Sequence, residues 1–369
     1  MSKPTLSSER APEAPAGPRP ASRLAGLSPY APPPRDGGSE LLLDANEGVP
    51  DADGLASALC SISPGDLSRY PDASALERDL AARLETDPCR VIVTNGGDDA
   101  IDRVCRSVVE PGRNAVLHTP TFEMIGRGVR LAWGETRSVP WLGGEFPAEA
   151  FLDAIDADTA LAALVTPNNP TGGTIPAVTI VAVAEKAAAC GALILVDLAY
   201  IEFADGDPTP ALLALDNVVM VRTFSKAFGL AGLRVGYAVA PAPVAPWLRT
   251  VGGPYPVSTV SLGIAGRALG ESAWRESFLA RVRLERSELS GTLSALGAAP
   301  LDSNANFVTA RFGDAGLVCA RLADRGIRVR GFPNHPELAA YLRISLPGEP
   351  RAFARLLSTL EDTLSGDTR

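Results

Sequence analysis

Only three of the 34 basic residues in this 369-residue chain are lysines, Lys3, Lys186 and Lys226, so chemistry that needs a primary amine has few possible sources. Lys226 stands in VRTFSKAFGLAGLRVGY, residues 221–237, among Phe224, Ala227, Phe228 and Leu230. Apolar surroundings disfavour the charged ammonium, lower its pKa and suit the amine to imine formation. Gly229 and Gly232 follow, in a loop where backbone can come close to a ligand. Lys3 lies in a Pro/Ala/Ser-rich stretch, and Lys186 in an Ala-rich helical pattern whose wet face is its simplest place.

Three other segments carry matching chemistry. VTPNNPTGG (165–173) ends a strand in a turn that presents the Asn168 and Asn169 amides, and LILVDLAY (193–200) ends one at Asp197, with Tyr200 three residues on. In VTNGGDDAID (93–102) a strand runs through Gly96 and Gly97 into a helix expected to begin near Asp98. The free N–H groups of a helix start form an anion site. All four segments lie at carboxyl ends of expected strands, where open α/β sheets bind ligands. An amine, a buried acid, an amide and an anion-binding helix start together meet the requirements of pyridoxal 5′-phosphate.

The elements that must position these groups follow from hydrophobic periodicity. Strands are expected at 91–94, 115–118, 161–166, 192–197, 218–222 and 235–240, alternating with amphipathic stretches such as Leu76, Leu80 and Leu84 or Ile101, Val104 and Val108. Such alternation predicts an α/β fold with a mostly parallel central sheet wrapped by helices. From about residue 272 one long helix carries Trp274, Phe278, Val282, Leu289, Leu293 and Leu296 on a stripe. A strand (306–310), a helix (about 314–324) and strands near Val329 and at 342–345 come after it. The expected organisation is a disordered Pro/Ala-rich tail (1–23), an amino-terminal arm over the active site (24–45), a large cofactor-binding domain (46–271) and a small α+β domain (272–369).

Composition narrows the function classes. With 46% apolar and 21% charged residues the chain can bury a sizeable core, and a net charge of −9 without like-charge runs argues against nucleic acid or an anionic membrane as partner. The five cysteines are widely spaced, and His118 and His335 lie far apart, so neither a disulfide framework nor a metal site is indicated. The chain shows no apolar run near the roughly 18 residues of a spanning helix and no amino-terminal h-region, so a cytoplasmic location is expected.

The motifs resemble those of the fold-type I, class I/II pyridoxal-phosphate aminotransferases, in the histidinol-phosphate aminotransferase-like branch. The similarity runs from about residue 27 to the end and rests on Leu27-Ser28-Pro29-Tyr30, Asp44-Ala45-Asn46-Glu47, Arg69-Tyr70-Pro71-Asp72, Asn169-Pro170-Thr171-Gly172, Ser225-Lys226 with Arg234, and Leu342-Arg343-Ile344-Ser345. It implies Lys226 as the Schiff-base lysine and proton carrier, Asp197 as the pyridinium partner, and Asn169 and Tyr200 at the ring's phenolic oxygen. Phe122 would stack on the ring. The phosphate would meet Gly97, Asp98, Ser225 and Arg234, with Tyr70 reaching in from a second subunit of a homodimer. Arg343 would take the substrate's anion, with Tyr30, Asn46 and Arg330 also on the substrate side. The chain departs from the pattern at Leu198, where an acid usually stands, at Gly48-Val49 and at Gly97-Asp98-Asp99.

The resemblance therefore implies amino-group transfer between an amino acid or amino-alcohol phosphate and a 2-oxo acid, with histidinol phosphate and 2-oxoglutarate leading. An aromatic or specialised-metabolite donor, or decarboxylation of the threonine-phosphate type, stands as the alternative. A sensor domain of a transcription regulator is disfavoured by the lack of a helix-turn-helix segment and by the negative charge.

Overall fold

The computed structural model describes residues 20–30, 40–270 and 273–365. The chain separates into two compact units, Met1–Pro32 and Pro33–Arg369. In the first, Ser22–Leu24 form a 3-10 turn with no buried residue. Residues 1–19 of the expected Pro/Ala-rich tail, Lys3 among them, lie outside the described residues.

Among the described residues, the second unit holds two sheets built from twelve strands: β1 (Leu41–Leu43), β2 (Val91–Thr94), β3 (Asn114–Thr119), β4 (Glu135–Pro140), β5 (Thr159–Val165), β6 (Leu193–Asp197), β7 (Val218–Thr223), β8 (Gly236–Val239), β9 (Ala299–Pro300), β10 (Phe307–Arg311), β11 (Ile327–Gly331) and β12 (Tyr341–Ser345). The larger sheet has the order β2-β8-β7-β6-β5-β3-β4. Strand β8 runs antiparallel to β2 and β7, while β3, β4, β5, β6 and β7 pair in parallel.

The central strands are buried along their whole length. Helices cover both faces, which is why Leu161-Ala-Ala-Leu-Val165 and Leu193-Ile-Leu-Val196 are unbroken apolar runs. One buried cluster on each face forms the core. All six strands expected in this sheet are present to within two residues. Strand β4 was not foreseen because ETRSVP is a polar edge strand, exposed at all positions but Val139.

The smaller sheet, order β1-β11-β12-β10-β9, follows the long helix Ala273–Ala295, whose Phe278, Val282, Leu289 and Leu293 are buried. Its first strand comes from the other end of the sequence: Leu41–Leu43 pair in parallel with Ile327–Val329. The segment 24–45 is therefore not only an arm, since its last residues are a strand of this sheet. The Pro-rich part, 31–39, lies outside the described residues. The two sheets meet at the Asn169–Gly172 turn, where the Thr309 hydroxyl donates to the Pro170 carbonyl and Asn304 N–H to the Gly172 carbonyl at 2.9 Å.

Candidate active site

The lysine loop begins where β7 ends. Phe224 N–H donates to Val235 O and Leu230 N–H to Phe224 O, both at 3.0 Å, and Gly229 N–H closes on Lys226 O at 3.1 Å. Thr223 fixes the start: its Oγ1 accepts from Ser225 N–H at 3.1 Å and lies 2.9 Å from Ser225 Oγ. Residues 48–50 lie directly on this loop. Gly229 has φ +66°, and a Cβ there would be 2.3 Å from the Val49 carbonyl carbon, so only glycine permits the approach. Lys226 Nζ donates to Ala45 O at 3.0 Å and lies 5.7 Å from the Tyr200 ring centroid. Burial, with Arg343 nearby, lowers its pKa to about 8, while Glu47 and Asp98 oppose the shift. Lys186 is exposed on its helix, as expected.

Asp197 closes β6 at 4% exposure, its Oδ1 accepting from Ala199 N–H at 3.0 Å. Burial, reinforced by Asp98, raises its pKa to about 6 against the pull of the Ala199 N–H and Lys226. Tyr200 is also buried; its hydroxyl accepts from Asn46 Nδ2 at 3.1 Å and its ring meets Phe307 edge-on. The two amides of the β5 turn have different fates. Asn168 is consumed inside the turn, bonding to Thr121, Pro120 O and Thr171, whereas Asn169 offers Oδ1 to Arg343 Nη1. Phe122, half-buried, precedes the helix Glu123–Leu131.

The helix after β2 starts at Gly96, two residues earlier than expected, so Gly97 and Asp98 lie in its first turn. Gly96 has φ +76°, and a Cβ there would come within 2.6 Å of Arg234 Nη2. Arg234 is itself left-handed, φ 54°, and donates to Asp98 Oδ2 at 3.0 Å. A helix start whose first N–H groups lack intrahelical acceptors, facing a guanidinium, is a cradle for a phosphate.

On β12, Arg343 is 7% exposed, donates Nη2 to Asp44 O at 2.7 Å and lies over the Phe307 ring. Its cross-strand partner is Arg330 of β11, whose guanidinium lies over Phe332. Asn46 is 1% exposed with both ends of its side chain engaged, by Tyr200 and Ser345. Tyr70 is 80% exposed and stacks on Tyr255, with centroids 4.5 Å apart and planes at 12°. Tyr30 belongs to the separate amino-terminal unit and is 52% exposed there.

The structure thus brings Arg343, Asp98 and Arg234 within electrostatic reach of Lys226, and Arg343, Asp197 and Asp98 within reach of Tyr200. Not foreseen were the backbone carbonyls of Asp44 and Ala45, acceptors for Arg343 and Lys226. A carbonyl is supplied by every residue type, so no side-chain signal could reveal it. The set fits pyridoxal 5′-phosphate. A depressed amine can join its aldehyde, a buried carboxylate can face a protonated ring nitrogen, and the Gly96–Arg234 cradle leaves room that a side chain would fill.

Comparison with known proteins agrees. The aminotransferase class I and II family matches residues 40–360. Histidinol-phosphate aminotransferase 2 of Pseudomonas aeruginosa is 33% identical over 362 residues, covering 92% of this chain and 96% of its own. The histidinol-phosphate aminotransferase of Thermobifida fusca is 34% identical, with 91% and 94% covered. The crystal structure of histidinol-phosphate aminotransferase from Sinorhizobium meliloti in complex with pyridoxal-5′-phosphate superposes with a TM-score of 0.86 at 26% identity, covering 96% of this chain and 99% of that one. With a family match over residues 40–360 and relatives one-third identical over nine-tenths of its length, the chain belongs to the class I and II aminotransferases, which are pyridoxal-phosphate-dependent enzymes.

Proposed function

We propose that this aminotransferase moves an amino group between histidinol phosphate and a 2-oxo acid such as 2-oxoglutarate, as a homodimer in the cytoplasm serving amino-acid biosynthesis. The observation that carries the substrate is the pairing of Arg330 with Arg343 across β11 and β12. Residues directly opposite in an antiparallel pair lie on one face, with Cβ atoms about 5 Å apart. Two guanidinium groups so disposed suit a phosphate dianion, and Arg343 alone suits the carboxylate of the oxo acid in the second half-reaction. The names of the relatives point the same way.

Bound at this site, the cofactor supplies the electron sink for the charge released when the substrate's Cα–H bond breaks. Around it, Asp197 holds the ring nitrogen protonated, and Tyr200 with Asn169 holds the phenolic oxygen. Phe122 covers one face of the ring. The N–H groups of Gly97 and Asp98, with Ser225 and Arg234, would hold the cofactor's phosphate, and Tyr70 would reach it from a second subunit. Lys226, whose lowered pKa of about 8 makes the neutral amine readily reached, would carry the proton from Cα and return it on the cofactor side. Arg330 would bound the donor side. Residues 272–369 with β1 act as a smaller domain that brings Arg330 and Arg343 to the cleft.

The test follows each half-reaction separately, offering histidinol phosphate, phenylalanine and threonine phosphate as donors and recording both amine-form cofactor and carbon dioxide. Histidinol phosphate should convert with the largest kcat/KM and without gas release. A larger value for phenylalanine would reassign the donor, and carbon dioxide from threonine phosphate would reassign the reaction.

A further inference from the structure

Three consecutive residues after β1 each hold a different part of the site. Asp44 O accepts from Arg343 Nη2 at 2.7 Å, Ala45 O from Lys226 Nζ at 3.0 Å, and Asn46 Nδ2 donates to Tyr200 Oη at 3.1 Å. The third is held on every side. Asn46 N–H donates to Ser345 Oγ at 3.0 Å, Asn46 Oδ1 accepts from the same hydroxyl at 2.9 Å, and Asn46 O accepts from Asn306 Nδ2 at 3.1 Å. Its φ is +53°, left-handed, a conformation that asparagine tolerates better than most residues. The side chain is 1% exposed, with its Nδ2 on Tyr200 and its Oδ1 on Ser345, so both of its ends face protein groups.

We propose that Asn46 is a positioning residue that acts through Tyr200, orienting the tyrosine hydroxyl as a donor toward the cofactor's phenolic oxygen and tying that orientation to the Arg343 strand through Ser345. The inference rests on the reading that Tyr200 faces the phenolic oxygen. Because Nδ2 has only hydrogens to offer, it fills an acceptor site of Tyr200 Oη and leaves the phenolic hydrogen free to point elsewhere. Donation to the oxygen also makes the hydroxyl more acidic and so a better donor in its turn. The same bond pulls the Tyr200 pKa down against the burial that raises it. Ser345 lies two residues from Arg343 on β12 and closes the link between the anion site and the ring site.

Glycine adopts φ +53° without strain, so Asn46→Gly removes the amide while sparing the backbone. The readout is the pH midpoint of the visible-band change of the bound cofactor, measured beside thermal stability. Loss of a donor to the phenolic oxygen favours the protonated form, so the midpoint should rise by about half a unit in Asn46→Gly. It should rise at least as much in Tyr200→Phe, and no further in the double variant. Asn46→Asp, which keeps the acceptor for Ser345 but cannot donate to Tyr200 when ionised, should also shift upward. A folded Asn46→Gly enzyme with the wild-type midpoint, while Tyr200→Phe shifts it, would overturn the inference and leave the Tyr200 reading standing. An unmoved midpoint in Tyr200→Phe itself would remove the Tyr200 reading, and this inference with it. Additive shifts in the double variant would show that Asn46 acts other than through Tyr200.

Discussion

Lys226 donates to the carbonyl oxygen of Ala45 across 181 residues of sequence, at 3.0 Å. A neutral carbonyl orients the ammonium without the compensation a carboxylate would give, so burial and Arg343 prevail and the pKa falls to about 8. Below that pH the group is mostly charged and cannot attack an aldehyde; above it the free amine dominates. Capture of pyridoxal phosphate by the apo-enzyme should therefore accelerate as pH rises and level off above about 8. Stopped-flow measurement from pH 6 to 10 reads this directly, and a midpoint near 10 would contradict it. Borohydride trapping followed by peptide mass mapping should find the label on Lys226 and none on the exposed Lys186.

Asp197→Asn should keep the fold and lose most of the transamination rate. The carboxylate is buried and its pKa is already raised to about 6, so it gains most from a protonated ring nitrogen placed against it. A neutral amide cannot hold that proton. The loss should be on the order of a hundredfold or more in rate. Near-normal turnover with cofactor bound would exclude the role.

Arg343→Lys should raise KM for both the amino donor and the oxo acid, because each uses one anion site in its own half-reaction. Arg343 spends one arm on Asn169 and another on Asp44 O. An ammonium cannot make those two bonds and still present a planar fork. An increase confined to one substrate would assign Arg343 to a donor-specific pocket.

The lysine, the aspartate and the parallel sheet were legible because each leaves a dense local signal: an amine among aromatics, an acid ending an apolar run, apolar runs at strand length. Strand β4 left none, since an edge strand exposed to water needs no apolar pattern. Leu41–Leu43 was hidden for another reason: its partner lies at Ile327–Val329, and three leucines alone do not specify a sheet. The linkage of Asp44, Ala45 and Asn46 to three site residues is a tertiary property of backbone carbonyls and one left-handed residue. The difference between Asn168 and Asn169 depends likewise on Thr121 and Pro120, which only the folded chain brings near.

Glu285, buried on the long helix, accepts Gly348 N–H at 2.8 Å and has its pKa raised to about 7, chiefly by burial. An acid with a raised native pKa binds more protons folded than unfolded, here between about 4.5 and 7. Its contribution to stability is present below that window and is lost as pH rises through it. The Tm of wild type minus that of Glu285→Gln should therefore fall as pH is raised from 5 to 8. A difference independent of pH would show that the carboxyl titrates normally.

Tyr70 offers the test of the proposed dimer. It is 80% exposed in its own chain, yet its ring is fixed flat against Tyr255, whose backbone is left-handed at φ 52°. An aromatic so held, with its polar tip available, suits an interface where ring packs and hydroxyl reaches a partner's phosphate. Tyr70→Phe should weaken cofactor retention by about 1 kcal/mol, one hydrogen bond, with the fold intact. Subunit mixing is sharper. Lys226→Ala protein should be inactive, and Tyr70→Ala protein impaired at limiting cofactor. In a mixed dimer both defects fall in one site, which lacks the lysine and its neighbour's tyrosine. The other site keeps Lys226 from its own chain and borrows Tyr70 from the Lys226→Ala partner, so it should work normally. Mixing should raise activity above the sum of the two parents. No gain despite demonstrated exchange would mean that Tyr70 acts within its own chain or not at all.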